Sequence, residues 1–518
     1  MSLVSLLDRG ASFGRSRIAF VKGDVETDYG QAQDLTFVVG HAMAALDVGY
    51  GAKCAVLSDN DPVAWLCVYG LWRAGLVWVP LNPRAPLAEH THILTGFDVD
   101  VLFFKKAFGE LVDQIRTSCP AIKVFICLDG SWPGAMDFET FKAGHPAKPL
   151  DFSANQDDLA AIMPTGGTTG QSKGVMLSHR NLFVSAMNGI INTPYEPGAE
   201  IVNLAAAPMT HSAGFLTIPA TARGGKIVVM TKPDPAELLD LVTRHGVTEF
   251  FLPPTVIYRL LEMPGIESRD FSRMRYLMYG AAPMSVEKLR KALAIFGPVM
   301  LQGYGQTEAP GAISFLRPGD HFRDGAVADD GRLSSCGLPS VFNMTAIMDD
   351  ENRILPQGET GEICVRGDIV MKGYYKQPDK TAETIVDGWL HTGDVGHIDD
   401  EGFLHITDRK KDMIISGGFN VYPSEVEQVI WSHPAVLDCA VIGVPHPEWG
   451  EAVKAVVELK PGQSVGADEL IALCKERLGS VKSPKSVDFI DALPRSMVGK
   501  VLKKDLRERY RNALGHAA

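Results

Sequence analysis

The stretch of the 518-residue chain that decides its fold is Thr165-Gly166-Gly167-Thr168-Thr169-Gly170-Gln171-Ser172-Lys173-Gly174-Val175. Its glycines leave backbone N–H groups accessible, its threonines add hydroxyl donors and Lys173 adds a positive charge, which are the groups that polyphosphate oxygens need. The P-loop of nucleotide triphosphatases has a different spacing, because here Gln171 and Ser172 separate Gly170 from Lys173. Taken alone, such a run is equally typical of a flexible surface loop. We therefore interpret it as a phosphate-binding loop only together with the stretches described below.

The composition predicts a soluble globular protein of at least two domains, with 46% hydrophobic and 22% charged residues. A net charge of −12 argues against nucleic acid or an anionic membrane as the main partner. Eight cysteines occur without a Cys-x-x-Cys pair, which argues against structural zinc or a disulfide scaffold and favours a reducing, cytoplasmic location. Because no apolar run approaches 18 residues and the N-terminus lacks signal-peptide features, we expect no membrane span.

Strands and helices alternate on both sides of the phosphate-binding loop. Residues 54–79 are predicted to form strand, helix and strand, and the same alternation recurs through residues 227–301. This pattern predicts an α/β fold with mostly parallel sheets covered by helices. The strand at 299–301 is expected to end before the segment Gln302-Gly303-Tyr304-Gly305-Gln306-Thr307-Glu308, which we therefore place in a loop at the carboxyl end of the sheet, where ligands of such folds gather.

The character of the chain changes near residue 320. Residues 320–407 contain short strands separated by Gly/Asp turns, which predicts a small β-barrel or β-rich subdomain. The charged strip Asp408-Arg409-Lys410-Lys411-Asp412 follows, and the remaining residues read as a compact α+β unit. We therefore predict an N-terminal domain over residues 1–408 and a C-terminal domain over residues 409–518.

Six motifs, taken in order and spacing, resemble those of the adenylate-forming superfamily, which includes acyl-CoA synthetases, aryl-CoA ligases, luciferases and the adenylation domains of peptide synthetases. The resemblance covers essentially the whole chain. It implies a large N-terminal domain of two βαβ-type sheets plus a small β-barrel, joined by a hinge to a mobile C-terminal domain. The motifs are residues 165–175, Gly280-Ala281-Ala282-Pro283, Tyr304-Gly305-Gln306-Thr307-Glu308, Gly388-Trp389-Leu390-His391-Thr392-Gly393-Asp394, the strip at 408–412 and Gly499-Lys500.

The resemblance implies a two-step reaction with ATP, Mg²⁺ and CoA. A carboxylate attacks the α-phosphate of ATP to give an acyl-adenylate and pyrophosphate, and a thiol then displaces AMP. The first step needs positioning and charge neutralisation at phosphorus rather than an enzyme nucleophile. Read in isolation, Glu308 would be a solvated loop carboxylate and Asp394 a turn residue, so the motifs are what favour a functional role for both.

The resemblance assigns the nucleotide site as follows. Thr165, Gly166, Gly167, Thr168, Thr169, Gly170 and Lys173 would hold the β- and γ-phosphates, Thr307 the α-phosphate and Glu308 the Mg²⁺ ion. Asp394 would accept from both ribose hydroxyls, Gly280, Ala281 and Ala282 would form a thin wall against the adenine, Tyr304 would stack on the base, and Arg409 would reach the ribose or phosphate.

The resemblance also implies residues that change place between the two steps. Lys500 would bridge the substrate carboxylate and the α-phosphate during adenylation, although a lone lysine before a basic helix is usually a solvated surface charge. Lys411 occupies the family's pivot position. Gly417, Gly418 and Phe419 would allow passage of a pantetheine arm, and Trp449 and Lys482 remain as contacts for the CoA nucleotide, because Val481 and Ser483 depart from the aryl-CoA ligase pattern.

His211 sits where relatives place a residue that lines the acyl pocket and gates the thiol channel, although a packed structural histidine is an equal alternative. No aspartate occurs between Met209 and Phe215 to hold an ammonium group, and the residues after Glu308 are small. We therefore predict an acid–CoA ligase for a hydrophobic fatty or aromatic acid. The alternatives are an acyl-AMP ligase that loads a carrier protein, a luciferase-like enzyme and a non-catalytic nucleotide-binding relative. A homodimer remains open.

Overall fold

The structure, a computed structural model, describes residues 2–152, 154–165, 172–231, 234–495 and 501–515. Several helices begin at an Asp or Ser residue whose side chain caps them. Asp234, for example, accepts a hydrogen bond of 2.8 Å from the Glu237 N–H, and the same helix ends at Gly246 with φ +60°. The helices are α1 Ser5–Ser12, α2 Tyr29–Ala45, α3 Pro62–Arg73, α4 Leu87–Gly96, α5 Gly109–Ser118, α6 Phe138–Lys142, α7 His179–Asn192, α8 Gly214–Thr221, α9 Pro235–His245, α10 Pro254–Leu261, α11 Val286–Phe296, α12 Asp330–Ser334, α13 Pro378–Thr384, α14 Pro423–Trp431, α15 Ala467–Lys482 and α16 Lys503–Gly515.

Most strands before residue 317 are short, buried runs rich in β-branched and aromatic residues, as strands covered on both faces require. They are β1 Ile18–Lys22, β2 Val25–Asp28, β3 Lys53–Leu57, β4 Val77–Pro80, β5 Val99–Phe104, β6 Val124–Cys127, β7 Met136–Asp137, β8 Leu159–Thr165, β9 Lys173–Ser178, β10 Val202–Ala205, β11 Lys226–Val229, β12 Glu249–Leu252, β13 Tyr276–Gly280, β14 Met300–Gln306 and β15 Ala309–Leu316.

The later strands pair mostly antiparallel, and the strand Trp389–Ile398 alternates between buried and partly exposed positions, as a strand with one solvated face does. They are β16 Phe322–Arg323, β17 Ala326–Val327, β18 Leu338–Pro339, β19 Asn343–Met348, β20 Gly361–Gly367, β21 Gly373–Tyr374, β22 Ile385–Val386, β23 Trp389–Ile398, β24 Leu404–Arg409, β25 Ile414–Ser416, β26 Phe419–Val421, β27 Val436–His446, β28 Gly450–Leu459 and β29 Ser486–Phe489.

Two large sheets form the N-terminal part. The first has the strand order β18-β15-β14-β13-β12-β10-β11-β1-β2, with parallel strands from β14 to β1. The second has the order β21-β9-β8-β4-β3-β5-β6-β7, with parallel strands from β8 to β7. In the second sheet, β8 and β9 form a hairpin whose connection is residues 166–172, so the phosphate-binding loop joins two antiparallel strands.

Three smaller sheets follow in the described residues, the smallest being the antiparallel pair β16-β17. Strands β19, β20, β23, β22 and β24 form an antiparallel half-barrel, while β26, β25, β28, β27 and β29 form the sheet of the C-terminal part. The strands β18 and β21, which lie within residues 320–407, join the two large sheets instead of the half-barrel. None of the helices in the described residues combines the length and apolar character that crossing a bilayer requires.

The predicted α/β fold is therefore confirmed: two large sheets, a half-barrel and a small C-terminal unit. One local prediction is wrong. Strand β14 continues to Gln306 and carries Tyr304 and Gly305 within it, so the predicted strand-end loop shrinks to the turn Thr307-Glu308. The reason is that β15 pairs with β14 beyond the point where the parallel neighbour β13 ends, so backbone hydrogen bonding continues.

Candidate active site

A cleft of about 2150 Å³ lies where the carboxyl ends of the large sheets, the half-barrel and the C-terminal part meet. This is the position at which open α/β sheets bind ligands. The described residues that the motifs assign to ATP all line it. They are Thr165, Lys173, Gly280, Ala281, Ala282, Tyr304, Thr307, Glu308, Asp394 and Arg409, and the proposed pivot Lys411 joins them.

Asp394 lies at the centre of this cleft in strand β23, so the alternative of a turn residue does not hold. It is only 5% exposed. The Tyr304 hydroxyl donates to Asp394 Oδ2 at 2.7 Å, and Arg409 Nε lies 3.1 Å from Oδ1. Burial and the neighbouring carboxylate raise the pKa of Tyr304 well above its usual range, which keeps this hydroxyl a donor. Tyr304 therefore orients the carboxylate, and the stacking of its ring on the base stays a prediction.

The backbone around Asp394 is held by the neighbouring strand β20. Glu362 Oε1 accepts from the Gly393 N–H at 2.9 Å, and the Thr392 hydroxyl donates to the Ile363 carbonyl at 2.6 Å. The Asp394 N–H in turn donates to the Thr392 hydroxyl at 3.1 Å. These contacts fix the direction in which the Asp394 carboxylate points, as a preorganised binding group requires.

The predicted thin wall follows from the packing of two strands. Gly280 pairs with Gly303 across β13 and β14, and a Cβ on Gly280 would lie 2.4 Å from the Gly303 carbonyl oxygen. The next residue, Ala281, has φ +65°, a conformation that costs a non-glycine residue free energy. The chain therefore turns sharply at the cleft, with only small side chains facing it.

Lys173 and Glu308, the residues predicted to hold phosphate and metal, both line the cleft and share one neighbour, Tyr374. The Tyr374 hydroxyl donates to Glu308 Oε1 at 2.8 Å, and Lys173 Nζ lies 4.6 Å from the centre of the Tyr374 ring. Burial and the nearby Lys380 lower the pKa of Lys173, while Glu308 opposes that shift. This part of the cleft thus presents one cation and one carboxylate, the two kinds of group that a metal–polyphosphate complex contacts.

The charged strip borders the same cleft. Arg409 ends β24 directly opposite Asp394, and Lys410 pairs with Asp350 at 2.7 Å. Burial and the charge of Arg409 lower the pKa of Lys411. Asp412 pairs with Arg507 of helix α16 at 2.6 Å. The strip is therefore anchored on both sides, by the half-barrel and by the C-terminal helix.

The flanks of the tail motif also face the cleft. Arg495 and Val501 both line it and form an antiparallel bridge with each other. Arg495 lies 2.7 Å from Asp438 and 3.2 Å from Glu458, two carboxylates that are largely buried. Paired, buried charges of this kind hold a side chain in one place. Residues 496–500, including Lys500, lie outside the described residues.

Part of the cleft lining is apolar. Phe215 lies 6.1 Å from Trp72 in a stacked arrangement and 5.3 Å from Trp78, so its ring is held by a buried aromatic cluster. Gly311 has φ +79°, and a Cβ there would lie 1.9 Å from Ser185 Oγ, which lets β15 approach α7 closely. The apolar lining residues are Phe215, Leu216, Pro219, Met278, Leu301, Ala312 and Phe315.

The residues assigned to the CoA channel do not line this cleft. Gly417, Gly418 and Phe419 form the exposed β25–β26 connection, and Phe419 is 60% exposed. Trp449 lies beside Gly417 and stacks on His446 at 4.2 Å. Lys482 pairs with Glu425 at 2.5 Å.

Other predicted site residues cannot be placed. Gly166, Gly167, Thr168, Thr169 and Gly170 lie outside the described residues, as does the side chain of His211, whose backbone belongs to a π-helical turn, Met209–Ala213.

Sequence reasoning missed Tyr374 and Glu362. Both belong to strands of the region that we described only as β-rich, and neither has a spacing that points to the cleft. A tyrosine next to a second tyrosine, Tyr375, carries no signal of its own, because aromatic residues are common in strands. Their roles become visible only when strands from different sheets are brought together.

Comparison with protein families completes the identification. Residues 7–375 match the AMP-binding enzyme family, and residues 425–500 match the AMP-binding enzyme C-terminal domain. The chain belongs to the AMP-binding enzyme family. The predicted adenylate-forming superfamily is thus confirmed, and so is the prediction of an enzyme of the AMP-forming acid–thiol ligase type.

Three similar proteins illustrate the family. The medium/long-chain-fatty-acid–CoA ligase FadD8 of Mycobacterium tuberculosis strain H37Rv is 35% identical over 510 residues, covering 96% of this chain and 88% of that protein. A feruloyl-CoA synthase of an Amycolatopsis species is 36% identical and covers 91% of each chain. The ATP-bound crystal structure of MatB from Rhodopseudomonas palustris has a TM-score of 0.89 and 30% identity, covering 99% of this chain and 100% of that one.

Proposed function

We propose that this AMP-binding enzyme joins a hydrophobic fatty or aromatic acid to CoA through an acyl-AMP intermediate, releasing AMP and pyrophosphate. The observation that carries this proposal is a single cleft lined both by Lys173, Glu308 and the buried Asp394 and by a set of apolar side chains. An acid–ATP reaction needs both kinds of lining in one cavity, because the carboxylate must meet the α-phosphate while its hydrocarbon part leaves water.

At the proposed nucleotide site, Asp394 accepts from the two ribose hydroxyls, and Tyr304 and Arg409 hold its carboxylate in position. The small residues of the Gly280 turn leave room for the adenine beside them. Thr165 and Lys173, together with Gly166, Gly167, Thr168, Thr169 and Gly170, bind the outer phosphates, and Thr307 donates to the α-phosphate. An ATP-bound relative of the same fold supports this assignment of the nucleotide.

Mg²⁺ fits the donor set, and Glu308 would hold it. The described residues contain no group of three or more His, Cys, Asp or Glu side chains that could bind a metal by themselves. Mg²⁺ prefers oxygen ligands, keeps several waters and takes further ligands from substrate phosphates, so one carboxylate beside a proposed phosphate site suits it. When bound, Mg²⁺ supplies charge neutralisation to the phosphates, and the chain's own contribution is to fix the Glu308 carboxylate at the turn between β14 and β15.

In the adenylation step, Lys500 bridges the acid's carboxylate and the α-phosphate. Both flanks of its segment, Arg495 and Val501, line the cleft, which supports this role. The thioester step then requires the C-terminal part, residues 409–518, to rotate about Lys411. The exposed positions of Gly417, Gly418 and Phe419 are consistent with a second arrangement in which they, and not the tail motif, face the cleft.

CoA is the proposed thiol acceptor, with Trp449 and Lys482 near its nucleotide. Trp449 stacks on His446 and also has Lys485 Nζ 5.4 Å from its ring, so a flat aromatic surface and a cation lie beside the Gly417 turn. Such a surface suits an adenine ring and a phosphate. His211 remains the proposed gate between the acyl pocket and the thiol, and a cytoplasmic location and a homodimer remain predictions.

The acid is the least constrained partner. We do not propose an amino acid as the substrate, because no aspartate occurs between Met209 and Phe215 to hold an ammonium group. The relatives span both classes, since one carries a fatty-acid name and the other a feruloyl name. Small residues at Gly311 and Ala312 leave the apolar lining open to acids larger than acetate.

A mass-spectrometric screen tests the proposal. Purified protein is incubated with ATP, Mg²⁺ and acetate, hexanoate, dodecanoate, benzoate or ferulate, with and without CoA. We expect an acyl-CoA with stoichiometric AMP from a hydrophobic acid. Accumulation of acyl-adenylate with CoA unchanged would instead indicate a carrier-protein thiol as acceptor, and acetate as the best substrate by kcat/KM would refute the pocket argument.

A further inference from the structure

Tyr374 connects two sheets beside the proposed phosphate site of the cleft. It lies in the short edge strand β21, which pairs antiparallel with β9, so Tyr374 stands opposite Val175, two residues after Lys173. Its hydroxyl reaches across to Glu308 Oε1 in the turn of the other large sheet, at 2.8 Å. Its ring faces Lys173 Nζ at 4.6 Å from the ring centre. One side chain thus touches both charged groups.

The position of Tyr374 is fixed from behind by helix α13. The side chain is largely buried, and its backbone N–H donates to the Thr381 hydroxyl at 2.9 Å. The preceding Gly373 has φ +128°, and a Cβ there would lie 2.6 Å from Thr381 Cγ2. Because α13 packs this closely, the Tyr374 ring is a rigid wall rather than a mobile side chain.

Lys173 and Glu308 carry opposite charges inside a partly dry cleft, where attraction between them is stronger than in water. No ion pair within 4.0 Å joins these two described side chains, although each lies against Tyr374. Of the other charges near Lys173, Lys380 and Glu383 pair with each other at 2.5 Å, and Lys411 adds a second positive charge that faces Lys173. A direct Lys173–Glu308 pair would neutralise both groups before a ligand arrives.

We propose that Tyr374 is a positioning residue that keeps Lys173 and Glu308 apart, its ring holding the lysine and its hydroxyl holding the carboxylate. Each charge then stays available, the lysine for a phosphate and the carboxylate for a divalent cation. The inference rests on the proposed function in one respect, namely that Glu308 receives the metal of a metal–ATP complex.

The two contacts can be separated by substitution. Tyr374→Phe removes the hydroxyl but keeps the ring beside Lys173, whereas Tyr374→Leu removes both. Tyr375→Phe is a matched control, because Tyr375 also donates to a carboxylate, Asp98 Oδ2 at 2.8 Å, outside the cleft. ATP binding to each full-length variant is measured by titration calorimetry with and without Mg²⁺ and without acid, so no turnover is required.

Mg²⁺ is expected to raise the affinity of the wild type for ATP, and in Tyr374→Phe we expect this gain to be about tenfold smaller. Tenfold is the effect of losing one hydrogen bond to a charged group. The affinity of this variant for ATP without Mg²⁺ should change by less than about twofold. Tyr374→Leu is expected to weaken Mg²⁺-free ATP binding as well, because Glu308 then captures Lys173. Adding Glu308→Gln to Tyr374→Leu should restore Mg²⁺-free binding to the level of Glu308→Gln alone. Tyr375→Phe should match the wild type.

The outcomes distinguish the inference from the proposed function. If the wild type shows no Mg²⁺ effect on ATP binding, or Glu308→Gln keeps that effect, the assignment of the metal to Glu308 is wrong. If those controls behave as expected but Tyr374→Phe matches the wild type, the positioning role is refuted. It is refuted equally if adding Glu308→Gln to Tyr374→Leu fails to restore Mg²⁺-free ATP binding. Thermal unfolding of each variant establishes that a loss of binding is not a loss of folding.

Discussion

Replacing Asp394 with asparagine tests the centre of the proposed nucleotide site. The Asp394→Asn change would keep the size of the side chain and an acceptor for the Tyr304 hydroxyl, now 2.7 Å from Oδ2, but would remove the negative charge that faces Arg409. We expect ATP binding to weaken and, more specifically, the preference for ATP over 2′-deoxy-ATP to disappear. The reason is that a carboxylate accepts from both ribose hydroxyls, whereas an amide offers one oxygen that Tyr304 already uses.

The magnitude follows from the kind of hydrogen bond that is lost. A hydrogen bond to a charged group contributes about 1.5–3 kcal/mol, so removing the 2′-hydroxyl should weaken binding to the wild type by roughly 10- to 100-fold. Removing the 2′-hydroxyl should weaken nucleotide binding to the Asp394→Asn variant by less than about threefold. Because the Arg409 side chain is 33% exposed and regains water, the loss of the ion pair should lower stability only modestly, by about 1 kcal/mol.

The assay is a thermodynamic cycle with one change in the protein and one in the ligand. Dissociation constants for ATP and 2′-deoxy-ATP are measured for the wild type and for Asp394→Asn. Asp399→Asn is the control, because Asp399 belongs to the same β23–β24 hairpin but contacts His405 at 2.8 Å instead of Tyr304. An unchanged ratio of the two nucleotides in the Asp394 variant would refute the ribose assignment. A changed ratio in the control would show that the hairpin, and not the carboxylate, sets the preference.

Three further substitutions test other parts of the structure. Gly280→Ala places a Cβ 2.4 Å from the Gly303 carbonyl oxygen, so we expect about 1–3 kcal/mol lower stability in urea unfolding and a raised KM for ATP. Leu216→Trp fills the apolar part of the cleft, and kcat/KM for dodecanoate should fall at least about tenfold relative to hexanoate. Burial alone would raise the pKa of Asp412, but its pair with Arg507 lowers it below the usual value. That stabilisation is present above the pKa of the unfolded carboxyl and is lost as the pH falls through the folded one, so wild-type stability should drop more than that of Asp412→Asn between about pH 5 and pH 3 in urea titrations.

The sequence predicted the proposed ligand-binding groups better than the groups that hold them in position. Motif order was enough to expect Lys173, Glu308 and Asp394 near one another, because their chemistry recurs in a fixed pattern along the chain. The contacts that orient them join residues far apart: Tyr304 and Asp394 are 90 positions apart, and Tyr374 and Glu308 are 66. Side-chain spacing within one element carries no information about such pairs.

The error at strand β14 has the same origin. Gly303 and Gly305 flank Tyr304, glycine favours turns and loops, and the apolar run before them stops at Leu301. The structure keeps this segment extended because β15 folds back on it, with Tyr304 opposite Ser314 and Gln306 opposite Ala309. The preference of Gly303 and Gly305 for a turn is therefore outweighed by pairing with β15, a strand that follows later in the chain.

Three of the sheets around the cleft, the two large sheets and the half-barrel, are joined by two tyrosine hydroxyls. Tyr304 extends from the first large sheet to Asp394 in the half-barrel, and Tyr374 extends from the second large sheet to Glu308 in the first. Neither tyrosine carries charge, and burial raises the pKa of both, so each remains a donor that orients a carboxylate without competing for its ligand. Because each carboxylate is anchored from a different sheet than its own, the geometry of the proposed ribose and metal sites depends on how the sheets pack together. The precision of the site is therefore a property of the assembled domain, and the motif residues alone do not contain it.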